Sequence, residues 1–190
     1  MGKGRLEAFS DGVIAVIITI MVLELKAPHG PDPEELWPLL PTFLTYVLSF
    51  IFVGIYWVNH HHFFHIIHKV SGGLLWANMH LLFWLSLIPF TTAWMGENHF
   101  TTWPVVLYGV DLLACAIAYT FITIIAVRLH GPDSEIARAV GRDKKGNISI
   151  LLYVISIPLA FYWPVLSCAC FVTVAAIWLV PDKRIERVLG

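Results

Sequence analysis

The feature that most constrains this chain is a series of apolar runs too long for any water-soluble core. Four stretches, beginning near Leu6, Phe43, Leu74 and Trp103, are almost free of charged side chains, and a fifth extends from Ile148 to Val180. A helix needs about 20 such residues to cross about 30 Å of hydrocarbon. Within lipid the backbone must satisfy its own polar groups, which leaves helices and closed barrels. Composition points the same way. Of 190 residues, 58% are hydrophobic and 13% charged, against about 25% charged in an average soluble domain, and the mean hydropathy is +0.75. The expected fold class is therefore an all-α integral membrane protein with lipid as its solvent.

Six transmembrane helices are expected, over about 6–25, 43–64, 74–95, 103–129, 148–162 and 164–180, within one domain covering residues 1–190. Pro28, Pro31 and Pro33 end the first span, since proline cannot continue a helix. Glu34, Glu35 and Leu36 are expected to start a short interfacial turn, and Ser71-Gly72-Gly73 to make a tight connection. Pro89 predicts a kink in the third span. The polar stretch from His130 to Asn147 predicts a short amphipathic helix on the membrane surface. The run from Ile148 to Val180 is too long for one upright crossing, and Tyr162-Trp163-Pro164 divides it, with Pro164 in the first turn of the last helix. Asp11 at the head of the first run and Glu24-Leu25-Lys26 at its end mark a retained span rather than a cleaved leader.

Topology follows from the basic residues, because loops rich in lysine and arginine stay cytoplasmic. With the N-terminus inside, eleven of the twelve fall on inner segments: Lys3, Arg5, Lys69, Arg128, Arg138, Arg142, Lys144, Lys145, Lys183, Arg184 and Arg187, leaving Lys26 alone outside. Both termini are thus expected in the cytoplasm, in a multi-pass protein of the cell membrane. A net charge of −1 with no long basic tract argues against nucleic acid as a partner. Cys115, Cys168 and Cys170 all fall inside apolar spans and read as structural filler.

Polar groups inside lipid are costly enough that each needs a reason. Ser10 and Asp11 open the first span; they serve either as a helix cap or as a buried carboxylate tying span 1 to a neighbour through Arg5 or a histidine. Asp111 lies near mid-membrane in span 4, either as a neutral acid or facing a water-filled crevice, with no partner evident in the sequence. Glu24 sits near the outer mouth, where it would concentrate cations. His61, His65 and His68 share a helical face at i, i+4 and i+7, a spacing able to hold zinc, copper or iron. This makes a metal-binding membrane enzyme or transporter the alternative reading. It lacks the several separated histidine boxes of a dinuclear centre.

The string Arg5-x-x-x-Phe9-Ser10-Asp11-Gly12 resembles the first-helix signature of the transmembrane protein 175 family of bacterial and lysosomal cation channels. Trp57, the run Asn59-His60-His61-His62, Leu74-Leu75-Trp76-Ala77-Asn78 and Pro89-Phe90-Thr91-Thr92 resemble the same family's pattern. The resemblance covers the first three spans by motif and the last three by hydrophobicity and length.

What the resemblance implies is a potassium-favouring channel, not an enzyme, in which four identical subunits each contribute one six-span repeat and the first helix lines a central path. Potassium is the permeant ion and no cofactor is implied. The sequence contains no Thr-Val-Gly-Tyr-Gly filter, so selectivity would arise from rings of side chains. At 100° per residue, Gly12, Val16, Thr19, Ile20 and Leu23 lie on one face of the first helix. By the resemblance, Val16, Ile20 and Leu23 form the pore and gate, and Thr19 the selectivity ring. Val16 is smaller than the isoleucine or leucine usual in the family. The family also implies a network that fixes the pore helix, here Arg5, Phe9, Ser10 and Asp11 with His61 or His62 and with Trp76 or Asn78.

Overall fold

The computed structural model describes residues 2–141 and 143–179. Arg142, the last residue of the expected sixth span at Val180, and the basic residues Lys183, Arg184 and Arg187 lie outside the described residues.

Every regular element among the described residues is helical. Helix α1 spans Lys3–Leu23, and a 3-10 segment at Pro33–Leu39 leads into α2, Leu40–His65. Then follow α3 (Gly72–Glu97), α4 (Thr102–His130), α5 (Glu135–Val140), α6 (Lys144–Leu159) and α7 (Pro164–Leu179). Local chemistry accounts for many of the boundaries. Pro38 and Pro41 lock the backbone where α2 begins. The hydroxyls of Ser71 and Ser134 accept hydrogen bonds from the Leu74 and Ala137 amides to cap α3 and α5, and Asp143 caps α6 through the Gly146 amide. Helix α4 ends at Gly131, whose φ of 94° suits glycine.

Helix α3 is the central post: it packs against α1, α2 and α4, while α4 also carries α6 and part of α7. Four segments are long and apolar enough to cross a membrane: Lys3–Leu23, Pro33–His65, Gly72–Glu97 and Thr102–His130. Helices α6 and α7 have 16 residues each, or about 24 Å at 1.5 Å per residue, shorter than a full crossing. The turn over residues 160–163 separates them at the expected Tyr162-Trp163-Pro164 break. The short helix expected between His130 and Asn147 is α5, with six residues. Helix α3 continues through Pro89 to Glu97.

Large apolar side chains remain exposed around the bundle, among them Phe43, Phe83, Phe90, Phe121 and Leu151. A surface of this kind is costly in water and suits lipid.

Candidate functional site

Helix α1 is apolar on two opposite faces. Leu6, Ile14, Ile17 and Met21, spaced with Ser10 at intervals of three and four, are buried against the bundle. On the other side Val16 is 54% exposed, Ile20 42% and Leu23 76%. Gly12 and Thr19 are exposed on that same side. A Cβ placed on Gly12 would meet nothing within 4 Å.

Thr19 Oγ1 donates to the Val16 carbonyl at 2.8 Å. Its single hydrogen is thereby used inside the helix, and the oxygen lone pairs are left for a cation or water on the exposed face. Phe9, Gly12, Val16 and Ile20 form one wall of an open groove whose other wall is Ser86, Pro89, Phe90 and Ala93 of α3. Glu24, at the C-terminal end of α1, lines the same groove. Lys26 is paired with Glu97 at 2.9 Å, and that hydrogen bond raises its pKa above the ordinary lysine value. The one expected outer cation is therefore already matched by a carboxylate.

Beneath the exposed face, a directed chain of hydrogen bonds ties α1 to α3 and α2. His60 Nε2 lies 2.8 Å from Asn78 Oδ1, Asn78 Nδ2 donates to Ser10 Oγ at 2.9 Å, and Ser10 Oγ donates to the Leu6 carbonyl at 2.9 Å. With Asn78 Oδ1 accepting, His60 Nε2 carries the hydrogen. All three side chains are buried, where an unmet polar group would be costly. One residue along, the Trp57 indole donates to Asp11 Oδ1 at 3.0 Å.

The histidine in this network is thus His60, in place of the expected His61 or His62. At 100° per residue His60 falls on the inward stripe with Phe52, Val53 and Phe64 and stacks on Phe64 at 4.1 Å. His61 turns outward beside Trp57, and His62 lies next to His61. Asn78 is brought to Ser10, whereas Trp76 is 78% exposed. Phe9 faces the groove, and the exposed Arg5 makes no side-chain hydrogen bond or ion pair among the described residues. His60 and Trp57 stand in the motifs quoted from the sequence but have no place in the network expected there, although the spacing from Phe52 and Phe64 carries the signal for His60.

The histidine face expected at His61, His65 and His68 does not form, because α2 ends at His65. The His68 and Lys69 amides instead donate to His130 Nε2 at 3.2 and 3.1 Å. Among the described residues no group of three or more His, Cys, Asp or Glu gathers to hold a metal ion. Asp111, buried, has a partner in Thr91, whose Oγ1 lies 3.0 Å from its Oδ2.

Comparison with known proteins adds independent findings. The family model for the endosomal/lysosomal potassium channel TMEM175 matches residues 5–89. The chain is 53% identical over 189 residues to a potassium channel of Chryseobacterium sp. strain P1-3, covering all of this chain and 98% of that one. It is 35% identical over 125 residues to a potassium channel of Streptomyces collinus, covering 62% of this chain and 61% of that one. The crystal structure of a lysosomal potassium-selective channel TMEM175 homolog from Chamaesiphon minutus superposes with a TM-score of 0.79 at 30% identity, over 93% of this chain and 96% of that chain.

Proposed function

Because the chain belongs to the TMEM175 family of potassium channels, we propose that it is a potassium-favouring cation channel of the cell membrane, lined by α1 from four identical subunits. The carrying observation is the second apolar face of α1, with Val16, Ile20 and Leu23 exposed on a helix whose opposite side is already packed. A helix apolar all round needs either lipid or protein against its outer side. Thr19 interrupts this face with an oxygen free to accept.

In a ring of four, Val16 and Leu23 present apolar constrictions that oppose conduction until the path is wetted and wide enough. Stripping water from an ion against such a wall is costly, and Thr19 supplies replacement oxygens between the two rings. Ser10, Asn78 and His60, with Asp11 and Trp57, hold the helix in register from behind. All of this belongs to a single domain over 1–190 with six crossings and both ends cytoplasmic, α6 and α7 making the last two short crossings. The relatives' names as channels support a non-enzymatic role, with potassium as permeant ion and no cofactor.

Recording currents in liposomes tests this reading. Val16→Asn is expected to enlarge the current by wetting the constriction, and Thr19→Ala to reduce the preference for potassium over sodium. Unchanged conductance and selectivity in both variants would remove the pore assignment.

A further inference from the structure

Asp111 lies at the tenth position of α4, away from the α1 face, with no basic side chain paired to it among the described residues. It is 2% exposed. Its Oδ2 meets Thr91 Oγ1 at 3.0 Å, and its Oδ1 is buried with no hydrogen-bond partner. An unpaired carboxylate anion in such a place is among the most costly groups a membrane protein can hold.

Thr91 allows two forms: its one hydrogen goes to Asp111 Oδ2, leaving Oδ1 of a charged carboxylate buried without a partner, or to a carbonyl of its own helix. Its hydroxyl has one hydrogen to give, and besides Asp111 it faces the carbonyls of Leu87 at 3.3 Å and Ile88 at 3.2 Å. Carbonyls only accept. If Thr91 donates to one of them, Asp111 must donate to Thr91, and for that its Oδ2 must carry a proton. Oδ1 is then the double-bonded oxygen of a neutral acid, which tolerates isolation far better than a charged oxygen does.

These carbonyls flank a weak point in α3. Pro89 has no amide hydrogen, so the Leu85 carbonyl loses its helical partner there. Immediately beyond, Thr91 reaches α4 through Asp111, and Thr92 donates to Ser49 of α2 at 2.6 Å, which in turn meets the Tyr108 hydroxyl of α4 at 2.9 Å. The titratable groups around Asp111 are Tyr56 from α2 and Tyr108 and Cys115 from α4, with Tyr153 of α6 and Cys168 of α7 beyond Tyr108. From α3, Thr91 meets it through a hydrogen bond. None of these groups offers a positive charge.

We propose that Asp111 is a proton-binding site: it holds a proton on Oδ2 at neutral pH and donates it to Thr91, bracing α3 against α4 just past the proline break. When the proton leaves to water, Thr91 must turn its hydrogen to the carboxylate and Oδ1 is left charged without a partner. The brace therefore weakens as pH rises.

Infrared spectra of the full-length protein in lipid, taken as wild type minus Asp111→Asn, test the assignment without reference to conduction. A carboxylic-acid C=O band at pH 7 that shifts in heavy water and is missing in the variant is the expected result. Thr91→Val should retain that band at higher frequency, having removed the hydrogen-bond acceptor. Relative to Asp111→Asn, the wild-type melting temperature should fall as pH rises from about 4, where an unfolded aspartate ionises, to the pH at which the folded site loses its proton, and level off beyond it. Absence of the acid band overturns the proton site, as does the same dependence of melting temperature on pH in both proteins. A band unmoved by Thr91→Val overturns the brace. If Asp111→Asn does not fold, the band and its shift between wild type and Thr91→Val decide the matter.

Discussion

Asn78 is the residue on which most of the buried polar chemistry behind α1 depends. Its amide serves His60 with one end and Ser10 with the other, so Asn78→Leu would leave the His60 Nε2 hydrogen without an acceptor and take the donor from Ser10 Oγ, which keeps its bond to the Leu6 carbonyl. The expected cost is about 1–3 kcal/mol for each buried group left unmet, read as lower thermal stability in detergent. Asn78→Asp is expected to retain the acceptor for His60 while losing the donor to Ser10, and so to fall between wild type and Asn78→Leu. An Asn78→Leu protein as stable as wild type would show that the chain of bonds contributes little.

Helices α2 and α3 approach so closely at Gly96 that an added Cβ would lie 2.6 Å from the Thr42 backbone and 2.6 Å from Thr45 Oγ1. Gly96→Ala must push the two helices apart and is expected to destabilise by about 1–3 kcal/mol through overpacking, measured by thermal or denaturant unfolding. Gly12 on α1 offers the opposite case. Alanine there meets nothing within the chain and should favour the helix by about 1 kcal/mol. If α1 helices from neighbouring copies face one another, Gly12→Ala will leave the single chain intact yet alter assembly or current. Cross-linking together with liposome recording distinguishes these outcomes, and an unaltered channel would place Gly12 off the shared path.

At the scale of the whole molecule, the arrangement depends on whether the pair of 16-residue helices α6 and α7 together make two crossings. In a background with Cys168 and Cys170 replaced by alanine, where the remaining Cys115 is buried, a cysteine introduced in turn at Asn98, Asp133 and Tyr162 reports the side of the membrane. A membrane-impermeant thiol reagent on intact cells should label Asn98→Cys and Tyr162→Cys, and Asp133→Cys only after permeabilisation. Failure to label Tyr162→Cys would place the α6–α7 turn inside and reduce the number of crossings. Native mass measurement in lipid should find four copies; a monomer would leave the exposed face of α1 to lipid.

Much was legible from the chain alone because lipid imposes simple rules. Run length and proline breaks located the main helices to within a few residues, whereas Ser10 and Asp11, for which a helix cap is one reading, lie inside α1, which begins at Lys3. The first-helix motif pointed to the family that the comparisons establish. Tertiary packing decided what one-dimensional spacing leaves open. Helical phase alone does not say which neighbour a face meets, so the buried histidine proved to be His60, and Asn78 rather than Trp76 reached Ser10. The end of α2 at His65 dissolved a histidine face that requires three further residues of helix. Asp111 found Thr91 twenty positions away only because α3 and α4 fold back side by side. Periodicity within a helix is local physics, whereas the choice of partner depends on how separate helices are set against each other.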